Sequence, residues 1–142
     1  DGAAALVMTR ASVAERLNLP VMARLVATAA HAHEPSKFTT APVPAMRKVM
    51  ERAGWSVDDV DLFEVNEAFA VVAMIAAKEL GIPADKLNVH GGATALGHPI
   101  GASGARILAT LIAALENRGL RRGVAALCIG GGEATAMAID LI

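Results

Sequence analysis

Three glycines each close an apolar helical run in this chain. Gly54 follows Val43, Met46, Val49, Met50 and Ala53, Gly81 follows a run that opens near Ala68, and Gly119 follows Ile107, Leu108, Leu111, Ile112 and Leu115. Apolar residues recurring at helical spacing mark one buried face, and a glycine just beyond takes the left-handed turn that ends the helix. Between these helices, residues 3–9, 21–30, 60–65, 87–89, 124–129 and 134–142 read as strands. Ser12 is placed as the cap of a short helix running through Glu15 to Leu17, and residues 31–42, with Pro35, Ser36, Thr39, Thr40 and Pro42, read as a loop. The order β-α-β-α-β-α-β-α-β-β predicts an α/β fold, a mixed sheet covered by helices. Functional groups in such sheets gather at the carboxyl ends of strands.

A chain of 142 residues is long enough for one domain with a real core. The hydrophobic fraction is 54%, yet no apolar run reaches the roughly 18 uncharged residues of a membrane span. The longest, residues 68–77, stops at Lys78-Glu79. A net charge of −1, with both signs spread along the chain, predicts neither a nucleic-acid nor a membrane partner. The single cysteine excludes an internal disulfide and fits a reducing cytoplasm. The chain does not begin with Met, carries no signal-peptide pattern, and already reads as a strand at residues 3–9, so its start is taken as a boundary within a longer protein.

Three polar motifs stand among the apolar segments: Asn66-Glu67-Ala68-Phe69, Gly97-His98-Pro99 and Cys128-Ile129-Gly130-Gly131-Gly132. Together they supply an amide, an imidazole, a thiol and a glycine-rich backbone, the parts that move a proton and hold a developing oxyanion. Each also has a plainer reading. Asn66, before an apolar run, reads as a helix N-cap or as an amide that fixes a water, and Glu67 as a first-turn acid that suits the helix dipole. His98 lies in a glycine-crowded loop, and a helix expected to start near Ser103 offers free N–H groups to an anion, although the loop matches neither phosphate-binding glycine pattern. Cys128 reads as a small buried hydrophobe or as a thiol beside the N–H groups freed by the triple glycine. His31, His33 and His90 read as ordinary loop or core histidines, and no ligand spacing predicts a metal.

In this order the motifs resemble the thiolases, the acyl-CoA acetyltransferases. The likeness covers essentially all 142 residues, about the last third of a typical member, and takes in the Asn-Glu-Ala-Phe block, residues 91–106 and the Cys-Ile-Gly-Gly-Gly run. Asn-Glu-Ala-Phe separates this type from the sterol-carrier thiolases, which carry another tetrapeptide, and from the ketoacyl synthases, which place a second histidine in the site. The resemblance implies a mixed sheet with helices on both faces, the C-terminal domain of a two-fold repeated architecture. Residues 1–9 would be the last strand of the preceding domain, leaving an unpaired edge here, and residues 10–142 the C-terminal domain.

The resemblance also assigns roles. His98 matches the histidine that activates an acylated cysteine located in the N-terminal half. Asn66 matches the residue that positions a water in the same oxyanion hole. Cys128 matches the second cysteine, which exchanges a proton with the acetyl methyl group or the leaving thiol, and the Gly130 N–H matches part of a second hole. Ala68 and Phe69 resemble residues lining the pantetheine tunnel, and Phe38 falls where the family shapes the acyl pocket. The implied reaction is Claisen condensation of two acetyl-CoA to acetoacetyl-CoA and CoA, or its reverse, with acetyl-CoA and acyl-CoA as substrates and no separate cofactor. The implied partners are an N-terminal thiolase half and further copies in a homo-oligomer, a dimer or tetramer, in the cytoplasm. The alternatives are a degradative 3-ketoacyl-CoA thiolase of fatty-acid β-oxidation and a non-catalytic thiolase-fold binding or assembly module. This chain departs from the family in lacking the nucleophilic cysteine and the loop domain that grips coenzyme A, and in placing Glu133 where many members have Met or Gln.

Overall fold

The computed structural model describes residues 2–142. Its centre is a four-stranded mixed sheet. β1 (Ala23–Ala32), β2 (Leu62–Val65), β3 (Arg122–Ile129) and β4 (Glu133–Leu141) lie in the spatial order β1-β4-β3-β2. β3 runs parallel to β2 and antiparallel to β4, and β4 runs antiparallel to β1. The parallel pair needs a long crossover, supplied by α3 (Ala70–Leu80), α4 (Ala93–Leu96) and α5 (Ile100–Arg118). α1 (Ala11–Leu17) and α2 (Pro42–Ala53) lie before β2.

Alternation along the strands sorts the core into two layers. Phe63, Val65, Val124, Ala126, Cys128, Ala134, Ala136 and Ala138 face α2 and α3, where Met46, Val49, Val72 and Ala76 are buried. Leu62, Ala125, Ile139 and Leu141 face α5 and meet Ile107, Leu111, Ala114 and Leu115. Helices therefore cover both faces of the sheet. The alanine-rich strands let these helices approach closely. A Cβ at Gly123 would lie 2.8 Å from the Leu111 side chain.

The glycine stops appear as expected, with Gly54, Gly81 and Gly119 at φ 71°, 69° and 64°. Several other expectations are corrected. Residues 3–9 form no strand: no segment among the described residues pairs with them, and without a partner a strand's N–H and C=O groups have no ladder to join. Asp1 lies outside the described residues. Residues 87–89 reduce to one bridge, Leu87 to Phe63, so the sheet has fewer strands than the sequence pattern predicts. β1 starts two residues later than expected, and residues 31–42 contain a 3-10 turn, Pro35–Thr40. Arg10, not Ser12, occupies the N-cap of α1, without a side-chain cap.

Candidate active site

Asn66 stands at the carboxyl end of β2, where its N–H continues the parallel ladder to Ala126 O at 2.9 Å. It is 1% exposed and caps no helix, because α3 starts only at Ala70 with Phe69 as its N-cap. The N-cap reading is thus set aside, and the amide is free for other partners. The dipole reading of Glu67 fails for the same reason. Its carboxylate instead accepts the Thr94 N–H at 3.0 Å and the Asn88 amide at 3.2 Å. It occupies the space a Cβ at Gly92 would fill. Burial raises the Glu67 carboxyl, but the bonds from Thr94 and Asn88 and the Arg106 charge outweigh it and hold the group below its ordinary value. Asn88 in turn bonds both Val65 N and Val65 O, at 2.8 and 2.9 Å. These bonds fasten the end of β2 to the loop that carries His98.

His98 precedes α5, which starts at Ile100 rather than near Ser103. The Ser103 N–H is committed to Pro99 O at 3.0 Å, so it is not a free donor for an anion. Ser103 is fully buried one turn into the helix, with its Oγ 2.6 Å from His98 Nδ1 and 3.1 Å from Pro99 O. On the other side of the ring, Nε2 lies 3.4 Å from Asn66 Nδ2. Asn66 Oδ1 accepts from Arg106 Nη2 at 3.3 Å.

Donor and acceptor chemistry assigns the protons in this chain of contacts. A guanidinium only donates, so the Asn66 oxygen faces Arg106 and its NH₂ faces His98. The NH₂ only donates, so Nε2 of a neutral ring is bare. Nδ1 then carries the proton and donates to Ser103 Oγ, whose own hydrogen goes to Pro99 O. His98 presents a bare nitrogen, able to take a proton.

Arg106 also approaches Glu64, with Nη1 3.7 Å from Oε2 and the side chains 19% and 2% exposed. Burial pushes the Glu64 carboxyl up to about 7, against the pull of Arg106 and with a further push from Glu67. Sequence reasoning assigns no role to Ser103, Arg106 or Glu64. Residues 60–65 carry two charges, Asp61 and Glu64, and the second, between Phe63 and Val65 and nearer the carboxyl end of the predicted strand, is the signal that marks Glu64.

Cys128 is buried on β3, opposite Ala134 of β4, and burial pushes its thiol up. Among the described residues it makes no side-chain hydrogen bond to Asn66 or His98. The following turn is pinned by Gly132 (φ 100°), whose N–H bonds Ile129 O at 3.0 Å and whose carbonyl accepts the His33 N–H at 3.0 Å. A Cβ at Gly132 would strike His33 O. Gly130 is exposed, and its N–H donates to no backbone carbonyl among the described residues.

The structure brings Phe38 and Phe69 edge to face, ring centroids 6.0 Å apart, while Ala68 packs against the α2–α3 core. His98 borders an open recess of about 950 Å³ that also takes in Gly2, Leu96, Ile100 and Arg106. The other histidines stand apart: His33 Nε2 meets Lys37 O at 2.8 Å, His31 Nδ1 meets Lys48 Nζ at 3.1 Å, and His90 is exposed. Among the described residues no group of His, Cys, Asp and Glu side chains is placed to hold a metal, and no helix is long and apolar enough to cross a membrane. The arrangement offers a proton acceptor and an amide donor on the α5 side of the sheet, His98 bordering the recess, while the Cys128 thiol lies with the core on the α2–α3 side.

Comparison with known proteins agrees in sequence and in structure. The model of the family "Thiolase, C-terminal domain" matches residues 19–141. Cytosolic acetyl-CoA acetyltransferase of Mus musculus is 54% identical over 140 residues, 99% of this chain and 35% of that protein. Acetyl-CoA acetyltransferase of Allochromatium vinosum is 49% identical over 140 residues, 99% of this chain and 36% of that protein. The crystal structure of the Bacillus anthracis acetyl-CoA acetyltransferase superposes with a TM-score of 0.90 at 42% identity, over 93% of this chain and 34% of that one. The chain thus spans about a third of the length of the relatives it matches.

Proposed function

This chain belongs to the thiolase family, and from that premise we propose that the whole protein is an acetyl-CoA C-acetyltransferase. It condenses two acetyl-CoA to acetoacetyl-CoA and CoA, or runs the thiolysis in reverse. Residues 10–142 act as the C-terminal domain and residues 1–9 complete the domain before it. A cysteine outside these residues carries the acetyl group, so this chain alone is inactive. The substrates are coenzyme A thioesters, with no separate cofactor. The enzyme works as a homo-oligomer in the cytoplasm, a location consistent with the cytosolic name of the mouse relative.

The observation that supports this reading best is the bare His98 Nε2, oriented by Asn66 on one side and Ser103 on the other. His98 takes the proton of the nucleophilic thiol. Once protonated at Nε2, the same ring donates to the thioester oxygen, beside a water held by Asn66. Cys128, left as a thiolate after giving its proton to the coenzyme A released in acylation, removes a proton from the acetyl methyl group, and the enolate attacks the acyl-enzyme carbonyl. The Gly130 N–H stabilises the resulting tetrahedral oxyanion, which collapses with cleavage of the enzyme thioester, freeing acetoacetyl-CoA while the departing cysteine takes back the proton from His98. Ala68 and Phe69 line the pantetheine path, and Phe38 packs behind Phe69 at the acyl pocket.

The test is condensation and thiolysis by the full-length protein and its His98→Ala variant. Turnover of acetoacetyl-CoA that falls by about 10²- to 10⁴-fold in the variant is expected. Near-normal turnover overturns the role of His98. Strong preference for long 3-ketoacyl thioesters replaces the acetyl-CoA reading with the degradative one.

A further inference from the structure

Glu64 on β2 and Asn66, just past its end where the ladder continues to Ala126, are two residues apart and so point to the same face, the one covered by α5. From α5, one turn beyond Ser103, the Arg106 side chain reaches toward both. Only one of its contacts is a hydrogen bond, the 3.3 Å bond from Nη2 to Asn66 Oδ1. Nη1 stops 3.7 Å from Glu64 Oε2, and Glu64 Oε1 and Arg106 Nε and Nη1 have no hydrogen-bond partner among the described residues. Buried polar groups left unpaired are costly, and a buried ion pair is weak evidence of stability even when its bonds close. This pair does not close them. Folding alone gives no reason for a guanidinium here, whereas the one bond it does make lands on the site.

We propose that Arg106 is a positioning residue that fixes the Asn66 amide and, through it, the tautomer of His98, with Glu64 as its buried neighbour. This rests on the thiolase reading of the site. A side chain that both donated and accepted would leave the Asn66 amide free to turn over. With its oxygen toward His98, the amide would favour the tautomer protonated at Nε2, which cannot take a proton from a thiol. The donor-only guanidinium removes that choice. The order of donation is Arg106 to Asn66, Asn66 to His98, His98 to Ser103 and Ser103 to Pro99 O, with no covalent change anywhere along it. Arg106 touches no reacting atom in this account.

The experiment is a double-mutant cycle in the full-length enzyme, using Asn66→Ala, Arg106→Ala and the pair together, read in acetoacetyl-CoA thiolysis. Arg106→Ala is expected to lower kcat by about 10- to 100-fold with KM changed by less than about threefold. In the Asn66→Ala background the same change should cost less than about twofold, because the group it orients is gone. Arg106→Lys, which still only donates, should recover part of the loss. Equal losses in both backgrounds, or a loss confined to KM, overturn the proposal. Because Arg106→Ala leaves a buried carboxyl unpaired, the cycle is repeated with Arg106→Met joined to Glu64→Gln, and the same coupling is expected. Nitrogen NMR of the His98 ring reads the Asn66 orientation independently of turnover: a neutral ring that shifts toward the Nε2-protonated tautomer in Arg106→Ala supports the role, and a ring that stays protonated at Nδ1 as in the wild type contradicts it. A wild-type enzyme without acetyl transfer sinks the thiolase reading, while the Asn66 orientation still decides the role of Arg106.

Discussion

Ser103 Oγ lies 2.6 Å from His98 Nδ1, and a single carbonyl holds the pair together: Pro99 O accepts both the N–H of Ser103 and its hydroxyl. The serine is fully buried, so its oxygen has no water to fall back on. It marks one end of the proton order across the site, and Arg106 marks the other.

Ser103→Ala removes the acceptor of the Nδ1 proton while leaving nearly the same volume in α5. Losing one such hydrogen bond is worth on the order of 1 kcal/mol, so kcat should fall about five- to tenfold with the fold intact. Steady-state kinetics beside thermal unfolding checks this. Unchanged kcat would show that the contact does not orient His98.

Gly92→Ala places a methyl group in the volume of the Glu67 carboxylate. Glu67 must then move, releasing Thr94 N and loosening the tie between the end of β2 and the His98 loop. Overpacking of this kind costs about 1–3 kcal/mol. Thermal unfolding of the full-length protein should show the loss. Gly92→Ala with Glu67→Ala should regain part of it, since the collision is gone, and a double variant no more stable than the single one contradicts the packing account.

Glu64 gives the protein a pH dependence of known sign. Unfolded, its carboxyl ionises near 4.5, while folded it keeps its proton until about 7. The folded state therefore binds the extra proton across that window. The stabilisation is fully present below pH 4.5 and is lost as pH rises through 7. The shift amounts to something on the order of 3 kcal/mol. Glu64→Gln should lose less stability than wild type across the same window, as read from thermal midpoints at a series of pH values. Parallel curves for the two proteins would count against the shift.

Cys128 is held neutral by burial, so proton abstraction by its thiolate should quicken as pH rises. Exchange of the acetyl methyl protons of acetyl-CoA with deuterium, followed by mass spectrometry, isolates that step. Cys128→Ala should slow it by about 10²- to 10⁴-fold and remove its rise with pH. Exchange at the wild-type rate in Cys128→Ala would assign the proton transfer to another group.

The parts legible in the sequence are those that short-range physics decides. Gly54, Gly81 and Gly119 end helices because a left-handed turn is a local event, and the α2 face of Val43, Met46, Val49 and Met50 follows from spacing alone. Residues 3–9 have the composition of a strand, but a strand exists only with a paired neighbour, and none among the described residues pairs with them. Asn66-Glu67 before an apolar run looks like a helix start. Its true partners lie more than twenty positions away at Asn88, Thr94, His98 and Arg106, which local patterning does not reach. Phe38 and Phe69, which the family resemblance assigns to separate parts of the site, have rings 6.0 Å apart, a contact that neither assignment contains. Ser103, Arg106 and Glu64 escape notice because their meaning lies in burial, a tertiary quantity.

Denaturing mass spectrometry of the full-length protein after exposure to acetyl-CoA tests the central claim most directly. The account predicts one added acetyl group on a cysteine outside these 142 residues, lost again on adding coenzyme A. An acetyl group on Cys128 would contradict the assignment of the two thiols. A protein that gains no acetyl group at all would contradict the catalytic reading and leave a thiolase fold that binds without turnover.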